Sequence, residues 1–337
     1  MTQNERIQAF VALGQWINDT INSENDIFRQ VAHRNPWYTK ENVVRQLQAI
    51  ANTLSTDKLT AWLDSYPPIQ TQKTVGIIAA GNIPLVAFHD VLAVLITGFK
   101  ATIKLSSDDA GLSKWLLDQL LLIEPRFENY IEIVERLGHF DLIIATGSNN
   151  SSRYFDYYFG KKPHIIRRNR NSIAVIQGQE SSDELTALGH DLFDYFGLGC
   201  RSVSKIYFPK DYPLSTFFEG IESFSEIRNH YKYNNNYDYN KSIYLINGDE
   251  HYDNGFLILK KDERLASPLA VVYFEYYDSL AEVEAKINSQ AESLQCLVSK
   301  EPLAVTVAQF ALGQSQCPNL TDYADNVDTL HFLHQYQ

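Results

Sequence analysis

The feature that most constrains the fold is an alternation of short apolar runs with helical patterns between residues 74 and 145. The run at 74–80 (TVGIIAA) is apolar and β-branched, which is typical of a strand buried on both faces. The pattern continues with a helix from about Leu85 to Thr97, a strand at 101–105, a helix from about Ala110 to Leu122, and strands at 130–134 and 141–145. Strands that alternate with helices predict a parallel sheet with crossover helices.

A helical region is expected before this sheet, over residues 5–64. Apolar side chains recur there at helical spacing in two stripes, formed by Ile7, Phe10, Leu13 and Ile17 and by Val43, Leu47, Ile50 and Leu54. Pro67 and Pro68 end the region.

Three short segments follow the carboxyl ends of the predicted strands, where parallel sheets bind their ligands. They contain Gly81, Lys104 and the T-G-S sequence at 146–148. A T-G-S sequence between a strand and a helix suits phosphate capture by the amides of the helix N-terminus. No G-x-G-x-x-G sequence is present, so the ordinary dinucleotide fingerprint is absent.

Cys200 is the candidate nucleophile of the chain. It follows a helical pattern at 183–196 and precedes a predicted strand at 203–208. Gly197 and Gly199 remove side chains beside the sulfur, so that an acyl group can approach and backbone N–H groups can face an oxyanion.

Two neighbouring cations, Arg201 and Lys205, are expected to favour the thiolate of Cys200. The competing interpretation is a small buried hydrophobic residue, which is the commoner state of a free cysteine.

Composition limits the class of protein. A chain of 337 residues with 45% hydrophobic content predicts about two domains. The net charge of −12 disfavours non-specific nucleic-acid binding, and no apolar stretch reaches the ~20 residues that span a bilayer. Three scattered cysteines and an N-terminus without a secretory signal predict a cytoplasmic protein with reduced thiols. The isolated cysteines and histidines predict no metal site.

Two further segments have unusual composition. Residues 161–170 (KKPHIIRRNR) concentrate basic side chains, which suits either phosphate binding or a solvated loop. Residues 231–240 (YKYNNNYDYN) are expected to form an exposed loop or a connection between domains.

Several motifs, in this order, resemble those of the aldehyde dehydrogenase superfamily, and most closely its LuxC-type acyl-CoA reductase (fatty acyl reductase) branch. The G-N-I-P sequence at 81–84 is similar to W-N-F-P in that family, and A-T-G-S at 145–148 is similar to F-T-G-S. I-K-L-S-S at 103–107 resembles the strand with the cofactor-ribose lysine, and Ser267-Pro268 resembles a later G-P-V segment. The sequence from Gly313 to Leu333 is similar to the reductase branch in particular.

The resemblance covers roughly residues 70–333 and implies an α/β, aldehyde-dehydrogenase-like fold. Such a fold has a parallel Rossmann-type cofactor domain and a second α/β catalytic domain that carries the cysteine. The expected divisions are a helical N-terminal segment at 1–68 packed on the cofactor domain, an NAD(P)-binding domain at 69–180, a thiol domain at 181–312, and a C-terminal segment at 313–337 that returns to the core.

The resemblance also implies the roles of site residues. Cys200 would be the catalytic nucleophile, and the amide of Asn82 would help to hold the oxyanion. NADPH or NADH would contact Lys104, Ser106, Thr146, Gly147 and Ser148. Ordinary structural roles compete with these: Asn82 as a cap of the next helix, Lys104 as a solvated strand end, and Ser148 as a simple N-cap.

Two departures from the family pattern bear on the reaction. Oxidative members carry a glutamate in L-E-L-G-G that activates water, and an ungapped alignment places Arg167 there. A site without that base would protect an acyl-enzyme from water and so favour reduction. The ribose-binding glutamate of the family would correspond to Glu263 only if one residue is inserted.

The expected function is therefore NAD(P)H-dependent reduction of an activated fatty acyl group, as an acyl-CoA or acyl-carrier-protein thioester, to the aldehyde. An acyl-protein synthetase and further copies of the chain are compatible partners. Two other classes stay open: a cysteine acyltransferase or thioesterase without nicotinamide, and a non-catalytic acyl- or nucleotide-binding protein.

Overall fold

The computed structural model describes residues 1–148 and 150–337, which divide into two compact units. Unit 1 comprises Met1–Asn169 and Asn319–Gln337, and unit 2 comprises Arg170–Pro318.

Unit 1 begins with the helical region that the periodicity predicted, and this region is divided into four helices: α1 (Gln3–Ile21), α2 (Asp26–Arg34), α3 (Lys40–Thr53) and α4 (Thr56–Leu63). A polar side chain caps the first turn of each, and Thr2 and Glu5 form a complete capping box on α1. The predicted apolar stripes of α1 and α3 are buried in the core of the unit.

The sheet of unit 1 has five parallel strands: β1 (Thr74–Ile78), β2 (Lys100–Lys104), β3 (Ile131–Ile133), β4 (Leu142–Thr146) and β5 (His164–Arg167). Their order is β3-β2-β1-β4-β5, so β1 lies between β2 and β4. The intervening helices are α5 (Phe88–Thr97), α6 (Leu112–Ile123) and α7 (Asn149–Phe159). The alternating pattern thus confirms the prediction of a parallel sheet.

Helix α5 begins at Phe88, and the expected start at Leu85 was wrong. Leu85 has a φ of 52°, in the left-handed region, which a continuous right-handed helix does not allow. Residues 84–87 instead form a turn between β1 and the helix.

Unit 2 contains seven strands: β6 (Asn171–Val175), β7 (Val203–Pro209), β8 (Tyr252–Asp253), β9 (Ile258–Lys261), β10 (Val271–Tyr277), β11 (Leu294–Ser299) and β12 (Gln309–Phe310). Their order is β12-β11-β6-β7-β10-β9-β8, and every pair is parallel except β8 with β9. Its helices are α8 (Ser182–Phe193), α9 (Leu214–Gly220), α10 (Tyr231–Asn247) and α11 (Leu280–Ser289).

The Tyr/Asn-rich segment at 231–240 is the first part of helix α10, so the expected loop was wrong. The buried face of this helix consists of Tyr233, Tyr237, Asn240 and Tyr244. Their spacing is helical, but tyrosine and asparagine do not register as an apolar stripe.

The C-terminal residues return to unit 1 and end in α12 (Thr329–Gln335). The Trp62 indole donates to the Tyr323 hydroxyl at 2.8 Å, and the Tyr66 hydroxyl donates to Asp328 at 2.6 Å. Among the described residues, no helix combines the length and the apolarity needed to cross a membrane.

Candidate functional site

The turn after β1 carries Asn82. Asn82 is exposed, whereas Gly81 is buried against the segment that follows β2. A Cβ atom on Gly81 would lie 2.9 Å from the Asp109 nitrogen and 2.9 Å from the Ser106 Cβ, so only glycine permits this close approach.

Asn82 does not cap the following helix, and that alternative is wrong. The N-cap residue of α5 is Ala87, and no side chain caps that helix end. The Asn82 amide therefore lies on an exposed turn at the end of β1, apart from the first turn of α5.

Lys104 is the last residue of β2 and pairs in register with Ile78, the last residue of β1. The chain therefore leaves both strands side by side. Lys104 is half-buried, and its ammonium forms no ion pair with any residue that the structure describes. Ser106 accepts a hydrogen bond from the Asp108 amide at 3.2 Å and starts a short 3₁₀ helix.

The T-G-S sequence joins β4 to α7, as predicted. The Ser148 hydroxyl accepts from the Ser151 amide at 3.2 Å, so Ser148 is the N-cap of α7. A Cβ on Gly147 would lie 2.9 Å from the Phe155 ring and 2.9 Å from the Ser151 Cβ, which explains the glycine. The N-cap interpretation of Ser148 is confirmed. Ser148 is exposed, and Thr146 and Gly147 are half-buried.

The sheet order brings these three segments to one edge. Because β1 lies between β2 and β4, the segments after their carboxyl ends are neighbours. They hold Asn82 in the centre, with Lys104 and Ser106 on one side and 146–148 on the other. This is the edge at which parallel α/β sheets bind ligands.

Cys200 lies in the turn immediately before β7, and its side chain is exposed. The buried interpretation of this cysteine is therefore wrong. It applies instead to Cys296, whose thiol pKa is raised to about 11 by burial. The Ser172 hydroxyl donates to the Cys200 carbonyl oxygen at 2.8 Å and lies 3.1 Å from the Cys296 sulfur, so the Cys296 thiol is the donor to Ser172.

The backbone that leads to Cys200 is strained. Helix α8 ends at Phe193, before the expected end at Phe196, because Tyr195, Phe196 and Gly197 have φ values of 54°, 59° and 76°. Left-handed backbone costs a non-glycine residue about 1–2 kcal/mol. Strained residues of this kind cluster at active sites and ligand-binding segments.

Asp191 fixes a neighbouring segment and was missed by sequence reasoning. Its buried carboxylate accepts hydrogen bonds from the Gly313 amide at 2.6 Å, the Ser315 amide at 2.9 Å and the Ser315 hydroxyl at 2.7 Å. Burial raises its pKa to about 6, and the charge of Asp194 adds to the shift. The available signal was an aspartate within the apolar stripe that includes Leu188 and Leu192.

Gln316 links this segment to the cysteine turn. Its amide donates to the Ser202 hydroxyl at 3.2 Å, and the Ser202 amide donates to the Gly199 carbonyl at 3.0 Å. The Cys200 turn is thus held by Ser172 on β6 and by the segment that is docked on Asp191.

The expectation that Lys205 favours the thiolate of Cys200 is wrong, because its ammonium is bound elsewhere. It is fully buried on β7 and donates to the carbonyls of Asp262 and Glu263 and to the Glu275 carboxylate. The Arg201 guanidinium lies 5.3 Å from the Phe310 ring centroid, and its charge opposes the rise in the Cys296 pKa. Lys205 therefore holds the loop that carries Glu263, which is exposed there.

Arg167 forms a buried ion pair at the end of β5. Its guanidinium donates to both carboxylate oxygens of Asp90 at 2.7 Å and to the Thr329 hydroxyl at 3.1 Å. Arg167 and Asp90 are 6% and 2% exposed, so no water-activating carboxylate occupies position 167.

The three arginines of the basic segment 161–170 are engaged in contacts within the protein. Arg167 is unavailable to phosphate, Arg168 pairs with Asp156 at 2.9 Å, and the Arg170 guanidinium donates to the Leu294 carbonyl at 3.2 Å. The phosphate-binding interpretation fails for Arg167. Within the described ranges, no group of three or more His, Cys, Asp or Glu side chains is arranged to bind a metal ion.

Of the three comparisons with known proteins, the one with solved structures supports the fold. No family model matches the sequence, and no curated protein matches it. Solved structures do match it. One is aldehyde dehydrogenase 21 from Physcomitrella patens, in complex with the reaction product succinate. It is 13% identical to this chain with a TM-score of 0.69, and the match covers 99% of this chain and 84% of that protein.

Two further aldehyde dehydrogenases are similar. KauB from Pseudomonas aeruginosa is 12% identical with a TM-score of 0.70, covering 100% of this chain and 83% of its own. A putative enzyme from Burkholderia cenocepacia is 12% identical with a TM-score of 0.71, covering 100% and 84%. The chain therefore has the aldehyde dehydrogenase fold, as its motifs predicted.

Proposed function

We propose that the protein is an acyl-thioester reductase that converts a fatty acyl-CoA or acyl-carrier-protein thioester to the aldehyde through an S-acyl intermediate on Cys200. The observation that carries the proposal is the Arg167–Asp90 ion pair, at the position that the ungapped alignment assigns to the family's hydrolytic glutamate. A buried guanidinium at that position supplies no carboxylate base that could activate water for hydrolysis of an acyl-enzyme.

Cys200 would act as the nucleophile. Its thiolate would attack the thioester carbonyl, and collapse of the tetrahedral adduct would expel the donor thiolate and leave the acyl group on sulfur. The exposure of Cys200 supports this role, since an acyl donor reaches an exposed sulfur without local unfolding.

The oxyanion would be stabilised by the side-chain amide of Asn82 and by the backbone N–H of Cys200. Asn82 suits this role because it is exposed and caps no helix. Donors that are already in place when the charge develops contribute most to such a step.

The edge at the carboxyl ends of β1, β2 and β4 fits a nicotinamide dinucleotide. Lys104 offers an ammonium without an ion pair among the described residues, Ser106 and Thr146 offer hydroxyls, and Gly147 and Ser148 lie before the N-terminus of α7. These groups match the ribose hydroxyls and the phosphates of the ligand. When bound, NADPH or NADH supplies the hydride that reduces the acyl group to the aldehyde.

The experiment is the decay of NAD(P)H absorbance with acyl-CoAs of increasing chain length, in parallel for wild type and Cys200→Ala. We expect decay that depends on the acyl donor and is lost in the variant. The chain length with the highest kcat/KM then defines the substrate.

Other outcomes would assign another function. Release of coenzyme A that depends on Cys200 but consumes no NAD(P)H would indicate acyl transfer or hydrolysis. Reduction of NAD⁺ or NADP⁺ by aldehydes, with release of the free acid, would indicate the oxidative reaction, which the names of the similar solved proteins suggest.

A further inference from the structure

Tyr38 is a buried residue of the connection between α2 and α3, and its hydroxyl reaches the turn that carries Asn82. The Tyr38 Oη atom lies 3.0 Å from the Gly81 carbonyl oxygen and 3.0 Å from the Ile83 carbonyl oxygen. These two carbonyls flank Asn82. Since a phenol has one proton, the hydroxyl is shared between the two acceptors and fixes the backbone on both sides of Asn82.

The turn depends on such support because regular structure does not hold it. Asn82 follows β1 by several residues, and α5 begins only at Phe88. Pro84 has no N–H to donate, and Leu85 has a left-handed φ of 52°. A hydrogen bond from outside the turn therefore contributes strongly to the stability of its conformation.

Tyr38 is itself firmly placed. Its amide donates to the Asn35 carbonyl at 2.9 Å, and the Asn35 side-chain amide donates to the Asp108 carbonyl at 2.8 Å. The Arg34 guanidinium donates to the Ala110 carbonyl at 3.1 Å. One connection thus holds the segment after β2 and the turn after β1, which are in close contact at Gly81.

The hydroxyl of Tyr38 remains a donor across the working pH range. Burial raises its pKa, and the negative charges of Asp109 and Asp108 act in the same direction. Tyr38 therefore keeps its proton, and the two carbonyls keep their donor.

We propose that Tyr38 is a positioning residue that fixes the side-chain amide of Asn82 for the oxyanion. The inference rests on the proposed function, because it needs an oxyanion at Asn82. It assigns to the N-terminal helices a role in the chemistry in addition to their packing. A donor that moves by about 1 Å loses much of its value for the reaction.

The first variant is Tyr38→Phe, which removes the hydroxyl and keeps the ring. Without the shared hydrogen bond the turn relaxes, and kcat is expected to fall roughly tenfold, with the KM values for acyl donor and NAD(P)H nearly unchanged. Coenzyme A released in the first turnover counts the competent sites, so that misfolded protein does not lower the measured kcat.

Tyr277→Phe is the matched control. Tyr277 is also buried, and its hydroxyl donates to a backbone carbonyl, that of Ile176, at 2.7 Å. It lies at the end of β10 in unit 2. The control is expected to lose stability but to keep kcat.

The deciding measurement repeats Tyr38→Phe in the Asn82→Ala background. If Tyr38 acts through Asn82, the second substitution lowers kcat no further. An equal loss of kcat in both backgrounds would overturn the inference and leave the reductase intact. A wild-type protein that consumes no NAD(P)H with any acyl donor would instead contradict the proposed function.

Discussion

The two units present their candidate residues at opposite ends of parallel strands. In unit 1, Asn82 and Ser148 follow the carboxyl ends of β1 and β4, and Lys104 is the last residue of β2. In unit 2, Cys200 precedes the amino end of β7. The first arrangement obeys the general rule for ligand sites in α/β sheets, and the second does not. The rule therefore locates the candidate cofactor loops but gives no reason to look at the cysteine.

The two units also differ in the contacts that hold the segments carrying their candidate residues. The edge of unit 1 uses contacts that are local or come from the α2–α3 connection, through Tyr38 and Asn35. The Cys200 turn of unit 2 combines left-handed backbone with a buried carboxylate, Asp191, that binds a distant segment. Unit 1 thus suits the binding of a ligand, and unit 2 suits the exposure of a reactive group.

The largest effect is expected from removal of the Cys200 thiol, which should abolish turnover without changing cofactor binding by unit 1. Cys200→Ala should lower kcat by roughly 10⁴-fold or more, because the nucleophile is lost. The affinity for NADPH, measured by its fluorescence, should not change, since the proposed cofactor residues all lie in unit 1. Cys317→Ala is the thiol control and should keep activity. Equal activity of the two variants would contradict the division of roles.

The next effect concerns stability. Arg167→Met would leave the Asp90 carboxylate buried without its partner, so the free energy of unfolding should fall by about 3–5 kcal/mol in a urea titration. Arg168→Met removes an exposed pair with Asp156 and should cost about 1 kcal/mol or less. Similar losses in both variants would show that the buried Arg167–Asp90 pair contributes no more to stability than the exposed pair.

The proposed role of Asn82 depends on the N–H groups of its side-chain amide, so a substitution that removes them tests it. Asn82→Asp keeps the size of the side chain but removes the N–H groups, so kcat should fall by roughly 10²–10³-fold while the KM for NAD(P)H stays close to that of wild type. Steady-state kinetics on purified protein check this. A variant with unchanged kcat would remove Asn82 from the reaction.

A smaller effect is expected when lysines at the two ends of strand β2 are substituted. Lys104→Met at the carboxyl end of β2 should raise the KM for NAD(P)H roughly 10- to 100-fold, since a charge-assisted hydrogen bond is lost. Lys100→Met at the amino end of the same strand should leave it nearly unchanged. Equal effects would place the cofactor elsewhere.

The smallest effect is the pH dependence from Asp191. Its pKa is raised by burial from 3.8 to about 6, so the folded state binds the proton more tightly than the unfolded state. The associated stability is present at low pH and is lost as the pH rises through 6. Between pH 5 and 7 the free energy of unfolding should fall by about 1 kcal/mol more in wild type than in Asp191→Asn. Parallel pH profiles would contradict the raised pKa.

Much of unit 1 was predictable because its signals are local. Apolar runs and helical periodicity predicted four of the five strands and the helices α5 and α6, and the T-G-S sequence marked the start of α7. Strand β5 was missed because it lies in the basic segment 161–170, which was interpreted as a phosphate site or a solvated loop. The start of α5 was misplaced because the left-handed residue Leu85 leaves no sequence signal, as leucine seldom adopts that conformation.

Unit 2 was less predictable because its site depends on distant contacts. Cys200 was found from its neighbours, but the roles of Asp191 and Lys205 depend on segments more than fifty residues away. Lys205 in particular was assigned to the thiol by sequence proximity. On a strand, however, side-chain direction alternates and the partner is set by the fold.

The most direct test of the central claim is mass spectrometry of the intact protein after incubation with a fatty acyl-CoA in the absence of NAD(P)H. We expect one acyl group, located on the Cys200 peptide, that persists until NAD(P)H is added and is then released as the aldehyde. Failure to acylate Cys200, or release of the acyl group as free acid at an equal rate with and without NAD(P)H, would contradict it.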